Sequence, residues 1–133
     1  MSIKISGTNT LFSSTETEKL VGAIQILYDK TSALIHIHID EVTEISILDR
    51  ATEVFELLGG NLVIPEFQIL IYFAAKEKQF VILGNNAISN RVGSDFWNET
   101  ADNMTIYFKN GDFLKGVLEG IESSGKMIKA NGK

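Results

Sequence analysis

Apolar positions recur along this chain with two different periods, and the switches between them mark out its elements. Thr15-Glu16-Thr17-Glu18 has the spacing of a capping box, with Thr15 capping a helix and Glu18 reaching back to the N–H of the cap. Leu20, Val21, Ile24, Leu27 and Tyr28 follow at helical spacing and form one apolar stripe, which must lie on a flat surface. From Leu34 to Asp40 the period falls to two. Ile35, Ile37 and Ile39 then share one face of a strand, and Leu34, His36, His38 and Asp40 share the other. Helical spacing returns from Ser46 to Leu58 through Leu48, Ala51, Val54, Phe55 and Leu58, and Gly59-Gly60-Asn61 stops it.

Gln68 to Ala75 is a continuous apolar run, the pattern of a central strand covered on both faces. Lys76-Glu77-Lys78 interrupts it before Phe80 to Leu83, so the two runs predict an antiparallel hairpin, which Gly84-Asn85-Asn86 ends. Ser94 is placed to cap a helix built on Phe96, Trp97, Thr100, Met104, Tyr107 and Phe108, and Asn110-Gly111 closes it. Asp112 caps a last helix with Phe113, Leu114, Val117, Leu118 and Ile121 on its stripe. Strand, helix and strand in one sheet imply a right-handed parallel crossover, to which the hairpin adds an antiparallel neighbour. The expected fold class is therefore α/β, a three-layer α/β/α sandwich with a mixed sheet. Residues 1–10 are expected to be a flexible arm, 11–127 a single domain and 128–133 a loose tail bearing lysines.

Composition narrows the chemistry. With 133 residues, 44% hydrophobic and 22% charged, the chain has room for one domain with a real core. A net charge of −5 argues against sequence-independent nucleic-acid binding, which draws on clustered Lys and Arg. The absence of cysteine excludes disulfides and thiolate chemistry. No apolar run approaches the about 20 residues of a membrane span. The start has no signal-peptide core, so the expected location is cytoplasmic.

Several short constellations suggest chemistry and stop short of it. His36-x-His38-x-Asp40 puts two imidazoles on one strand face ~6.6 Å apart, close enough to converge on a metal. These are the only histidines in the chain, so both are expected to lie on a partly solvated sheet face. Asp40-Glu41-Val42 lacks the second Asp that a D-x-D nucleophile pair requires. Asp40, Glu41, Glu44 and Glu77 could still form a loose divalent-cation site, because hard cations take carboxylate oxygens. Gly84-Asn85-Asn86 is expected to terminate a strand rather than cradle a phosphate, and Phe96-Trp97 to anchor the core.

Taken in order, the segments resemble the TPM-domain family over about Leu11 to Met127. The resemblance rests on Thr31 to Asp40, similar to T-S-G-E-I-R-V-H-I-E; on Ala51 to Leu58, similar to A-x-x-x-F-x-x-L; and on Ile69 to Tyr72, similar to V-L-I-Y. It continues through Phe80 to Asn85, Val92 with Phe96-Trp97, and Gly116 to Ile121, which are similar to F-A-I-x-G-D, V-x-x-x-F-W and G-L-x-x-G-I. The resemblance implies the same α/β/α fold. It also implies Ca²⁺ or Mg²⁺ binding in some members and a weak phosphatase activity in some.

Departures from the family pattern cluster. Ala33-Leu34 stands where the family has Gly-Glu, Phe67-Gln68 where it has Asn-Gly, and Gly84-Asn85 where it has Gly-Asp. By topology these positions, with Thr31 and Ser32, share one edge of the sheet, so the edge is read as a cation site stripped of its charged oxygens. Leu34 and Phe67 are expected to pack into or over a small, dry remnant of that site. The preferred reading is a non-catalytic interaction domain with no cofactor and a protein partner. The alternative is a Ca²⁺- or Mg²⁺-binding domain with weak phosphatase activity working from Asp40, Glu41, Glu44 and Glu77.

Overall fold

The computed structural model describes residues 5–132, and the side chains of all of these except positions 91, 92, 94 and 130–132. A four-stranded sheet of order β1-β2-β3-β4 forms the middle layer. Its strands are β1 (Ile5–Gly7), β2 (Ala33–Asp40), β3 (Phe67–Ala74) and β4 (Gln79–Gly84). The first three are mutually parallel and β4 is antiparallel to β3, so the sheet is mixed as the hairpin predicts. Every residue of β3 is buried, as expected for a strand with a neighbour on each side and a layer on each face.

Helices α1 (Ser14–Thr31), α3 (Asn86–Lys109) and α4 (Phe113–Gly132) cover one face and α2 (Ile47–Leu57) covers the other. Ile35, Ile37, Ile39, Ile69, Ile71 and Phe73 meet Leu20, Ile24, Leu27, Met104, Val117 and Ile121 in the larger core. The alternate residues Leu70, Tyr72 and Ala74 meet Ala51, Val54 and Phe55 of α2 in a smaller one. Because α1 and α2 lie on opposite faces while the parallel strands advance in order, the two crossovers wind with opposite hands. One of them departs from the usual right-handed rule.

Four expectations need correction. Residues 5–7, assigned to a flexible arm, pair with Ile37, His38 and Ile39 as edge strand β1, which supplies β2 with a second neighbour. The cap of α1 is Ser13 and not Thr15: Ser13 accepts from Glu16 N–H at 3.1 Å and Glu16 returns the bond at 3.0 Å, the same box shifted by two residues. The helix expected to start near Ser94 starts at Asn86 and breaks at Gly93 (φ 77°), so helical backbone resumes where the Ser94 cap was placed. The Ser94 side chain itself lies outside the described residues. Finally, α4 continues into the supposed tail as far as Gly132, and Ile128 is buried in the larger core; Lys133 lies outside the described residues.

Candidate functional site

Two edges of the sheet carry the positions singled out by sequence. At the first, β2, β3 and β4 bring Leu34, Phe67, Gln68, Gly84 and Asn85 together: Ala33 pairs with Phe67, Leu34 with Gln68, and Ile69 with Gly84. Thr31 and Ser32 make the adjoining turn. The Thr31 hydroxyl donates to Leu27 O at 2.7 Å and accepts from Ala33 N–H at 3.1 Å, while Ser32 ends α1 in the left-handed conformation (φ 62°).

Leu34 and Phe67 are both buried in the larger core. Gln68, 1% exposed, is fully engaged: its Oε1 faces His36 Nε2 at 2.9 Å, and its Nε2 donates to Pro65 O at 3.2 Å and Leu62 O at 3.4 Å. Asn85 caps α3 by accepting from Ile88 N–H at 3.2 Å and ties down the preceding loop by donating to Glu66 O at 2.9 Å. Gly84 could not carry a side chain, since an added Cβ would come within 2.6 Å of both Ile88 and Trp97. The side chains of Thr31, Gln68 and Asn85 are thus spent on backbone or on His36.

The opposite edge holds Asp40 at the end of β2. Both carboxylate oxygens are occupied: Oδ1 faces His38 Nε2 at 3.1 Å, and Oδ2 accepts from Tyr72 OH at 2.6 Å and Arg50 Nε at 2.9 Å. Burial pushes this carboxyl up, but the hydrogen bonds from Tyr72, Arg50 and His38 outweigh it and hold Asp40 below the ordinary carboxylate range. For Tyr72, burial and the carboxylate together hold the phenol protonated well above its usual value. Since an ionised Asp40 can only accept, His38 Nε2 carries a proton toward it, and Nδ1 on the far side of the ring faces Ser6 Oγ at 2.7 Å.

A continuous chain of hydrogen bonds therefore runs from Ser6 on β1 through His38 and Asp40 to Tyr72 on β3 and Arg50 on α2. Its Ser-His-Asp order suggests nucleophilic catalysis. However, the Ser6 hydroxyl lies between two paired strands, where it also reaches Ile37 O at 3.3 Å, and it does not line the cleft beside Asp40.

His36 and His38 do not converge on a metal. His36 turns to Gln68 and packs edge-on against Phe55 of α2, with its pKa lowered by burial and only partly restored by the Gln68 bond; His38 stacks on Tyr72 at 6.0 Å. The four acidic candidates do not converge on one point either. Glu41 pairs with Lys76 at 3.2 Å, Glu77 accepts from Thr43 N–H at 3.2 Å, and Glu44 lines a shallow cleft of about 350 Å³ with Asp40, Arg50 and Glu53. Among the described residues no group of three or more His, Asp or Glu side chains is arranged to hold an ion. Likewise, no helix among the described residues is long and apolar enough to cross a membrane.

Sequence reasoning missed Ser6, Arg50 and Tyr72. The one available signal was Tyr72, the only polar-tipped side chain inside an apolar run and in register with His38. Buried tyrosine hydroxyls usually find a partner.

The TPM-domain family model matches residues 6–127. The BA42 protein of the psychrophilic bacterium Bizionia argentinensis is 32% identical, with a TM-score of 0.85 over 92% of this chain and 85% of that one. The N-terminal domain of the cg2496 protein of Corynebacterium glutamicum (14% identity, TM-score 0.75, 94% of this chain and 79% of that one) shares the fold. So does an N-terminal domain from P. gingivalis (12% identity, TM-score 0.80, 95% and 82%). No curated protein matches this chain. With the family model spanning nearly the whole length and the fold shared, this chain belongs to the TPM-domain family.

Proposed function

We propose that this chain is a non-catalytic TPM-type interaction domain, whose former cation edge has become packed structure and whose contact surface is the loop from α2 to β3. The observation that carries this reading is the loop itself. Val63 is 83% and Ile64 80% exposed, with Leu57 and Leu62 exposed beside them, a concentration of apolar surface that in a folded domain usually marks a binding site. This loop is also held in place. Gln68, standing where the family resemblance implies Gly, donates to Leu62 O and Pro65 O, and Asn85, standing where it implies Asp, donates to Glu66 O. Two of the substitutions at this edge, Gln68 and Asn85, thus anchor an outward-facing apolar loop. A protruding Leu62-Val63-Ile64 ridge fits an apolar groove on another protein.

Two measurements test the proposal. Titration of Ca²⁺ and Mg²⁺ into metal-free protein should leave the amide NMR spectrum unchanged, whereas saturable shifts at Asp40, Glu41, Glu44 or Glu77 would favour the cation-binding phosphatase reading. A photo-reactive residue at position 63 should cross-link one protein in its source cells, and the cross-link should be lost in a Leu62→Ser, Ile64→Ser variant that melts normally. Cross-linking that persists in that variant would remove the loop from the proposal.

A further inference from the structure

On the helix-rich face, at the carboxyl end of β3, lies a cleft of about 670 Å³ that none of the family-site positions touches. Its walls are rings from four elements: Phe73 of β3, Phe80 of β4, Phe108 at the end of α3 and Phe113 at the start of α4. These rings interlock, Phe80 against Phe108 at 4.8 Å and Phe73 against Phe108 at 5.4 Å, both edge to face. Phe108 is fixed from behind as well, because Gly116 has no Cβ; one placed there would overlap the ring. The wall is therefore preformed, and its volume falls in the range of small-molecule sites. Open α/β sheets bind ligands at the carboxyl ends of their parallel strands, which is where this cleft opens.

Two lysines line it, Lys78 from the β3–β4 turn and Lys109 from the last turn of α3, and both are exposed. Their acidic neighbours are engaged elsewhere: Glu77 accepts from Thr43 N–H, and Asp112 lies 3.8 Å from Lys115. Among the described residues neither lysine has an ion-pair partner, in a chain whose net charge is −5. Lys78 is also held in the left-handed conformation (φ 55°), its N–H donating to Ala75 O, which fixes where its side chain leaves the turn. An aromatic chamber with two unpaired ammonium groups along its wall matches an anion with an apolar body.

We infer that this cleft binds an amphipathic carboxylate, its aromatic or aliphatic body among Phe73, Phe80, Phe108 and Phe113 and its carboxylate on Lys78 and Lys109. The reading is independent of the loop surface and of any cation. Three ligands with one body and different heads test it: 4-phenylbutyrate, 4-phenylbutanol and 4-phenylbutylamine, each titrated into the full chain and followed by aromatic and amide NMR shifts. The carboxylate should bind with shifts centred on the four rings, about tenfold more tightly than the alcohol, while the amine binds least. A Lys78→Gln, Lys109→Gln double variant should bring the carboxylate down to the alcohol's affinity and leave the alcohol unchanged. Thr105→Phe, which fills the cleft from the α3 side, should weaken all three. Equal affinity for carboxylate and amine, shifts scattered over the surface, or an unaltered carboxylate affinity in the double lysine variant would each overturn the assignment.

Discussion

The two faces of the central sheet are made by alternate residues of the same strands, yet they are built on different principles. On one face, Ile35, Ile37, Ile39, Ile69, Ile71 and Phe73 are sealed under three helices of 18, 24 and 20 residues. On the other, the 11-residue α2 lies over β3 and β4 and leaves the β1–β2 side to His36, His38 and Asp40. A single short helix cannot bury that much sheet. The residues at its margin are therefore polar and satisfy one another: Ser6 with His38, His38 and Tyr72 with Asp40, Asp40 with Arg50, and His36 with Gln68. A one-residue slip of β2 would exchange these two sets of side chains, so the polar set opposes the wrong register while the apolar set favours the right one. On this view the network helps to specify the strand pairing.

If the faces differ in this way, the largest losses should come from the sealed side. Ile71→Ala, at a fully buried position of the larger core, should cost about 2–5 kcal/mol in urea denaturation, through lost burial and the cavity left behind. Its neighbour Tyr72 offers the matched test. Tyr72→Phe keeps the ring and removes only the hydroxyl, so it should cost about 1–3 kcal/mol, because the buried side of Asp40 then loses one of its donors. A Tyr72→Phe cost equal to that of Ile71→Ala would mean that the polar face dominates stability, and the comparison would have to be reversed.

How far each face could be read in advance follows from the physics of its contacts. The period-two pattern of Ile35, Ile37 and Ile39 and the apolar run at Ile69 to Phe73 depend on burial, which is additive and local enough to read along a chain. Both strands and their partners fall where that pattern puts them. Strand β1 was not legible, because three residues are too few to show a period and its pairing partner lies 32 positions on. The polar network failed for a related reason. Asp40 reads as a free acid at a strand end, and only the fold brings in Tyr72 from β3 and Arg50 from α2 to occupy its oxygens. Register did gather Leu34, Phe67, Gln68 and Asn85 at one edge as the topology implied. What could not be seen was that Gln68 would be fully buried and bound to His36 and to the loop ahead of it.

The smallest effect, and the sharpest for the comparison, is a dependence on pH that only the α2 face can produce, since the strand residues of the sealed face are all apolar. His36 sits between Gln68 and Phe55, and its pKa is lowered by burial, against a smaller upward pull from Gln68. In the unfolded chain it titrates near 6.5. Below that value the unfolded state takes up a proton that the folded state resists, so stability is complete above about pH 6.5 and declines as the pH falls toward the lowered folded pKa. Asp40 is also depressed and loses its contribution in the same direction, but at lower pH, as acid reaches its own lowered value. Two separate steps should therefore show in stability measured from pH 8 to pH 3, and a single proton limits each slope to about 1.4 kcal/mol per pH unit. His36→Gln should flatten the upper step and leave the lower one, while Asp40→Asn should do the opposite. If the upper step survives in His36→Gln, the titrating group is not His36, and the α2 face would owe its pH response to a residue outside the Gln68 bond.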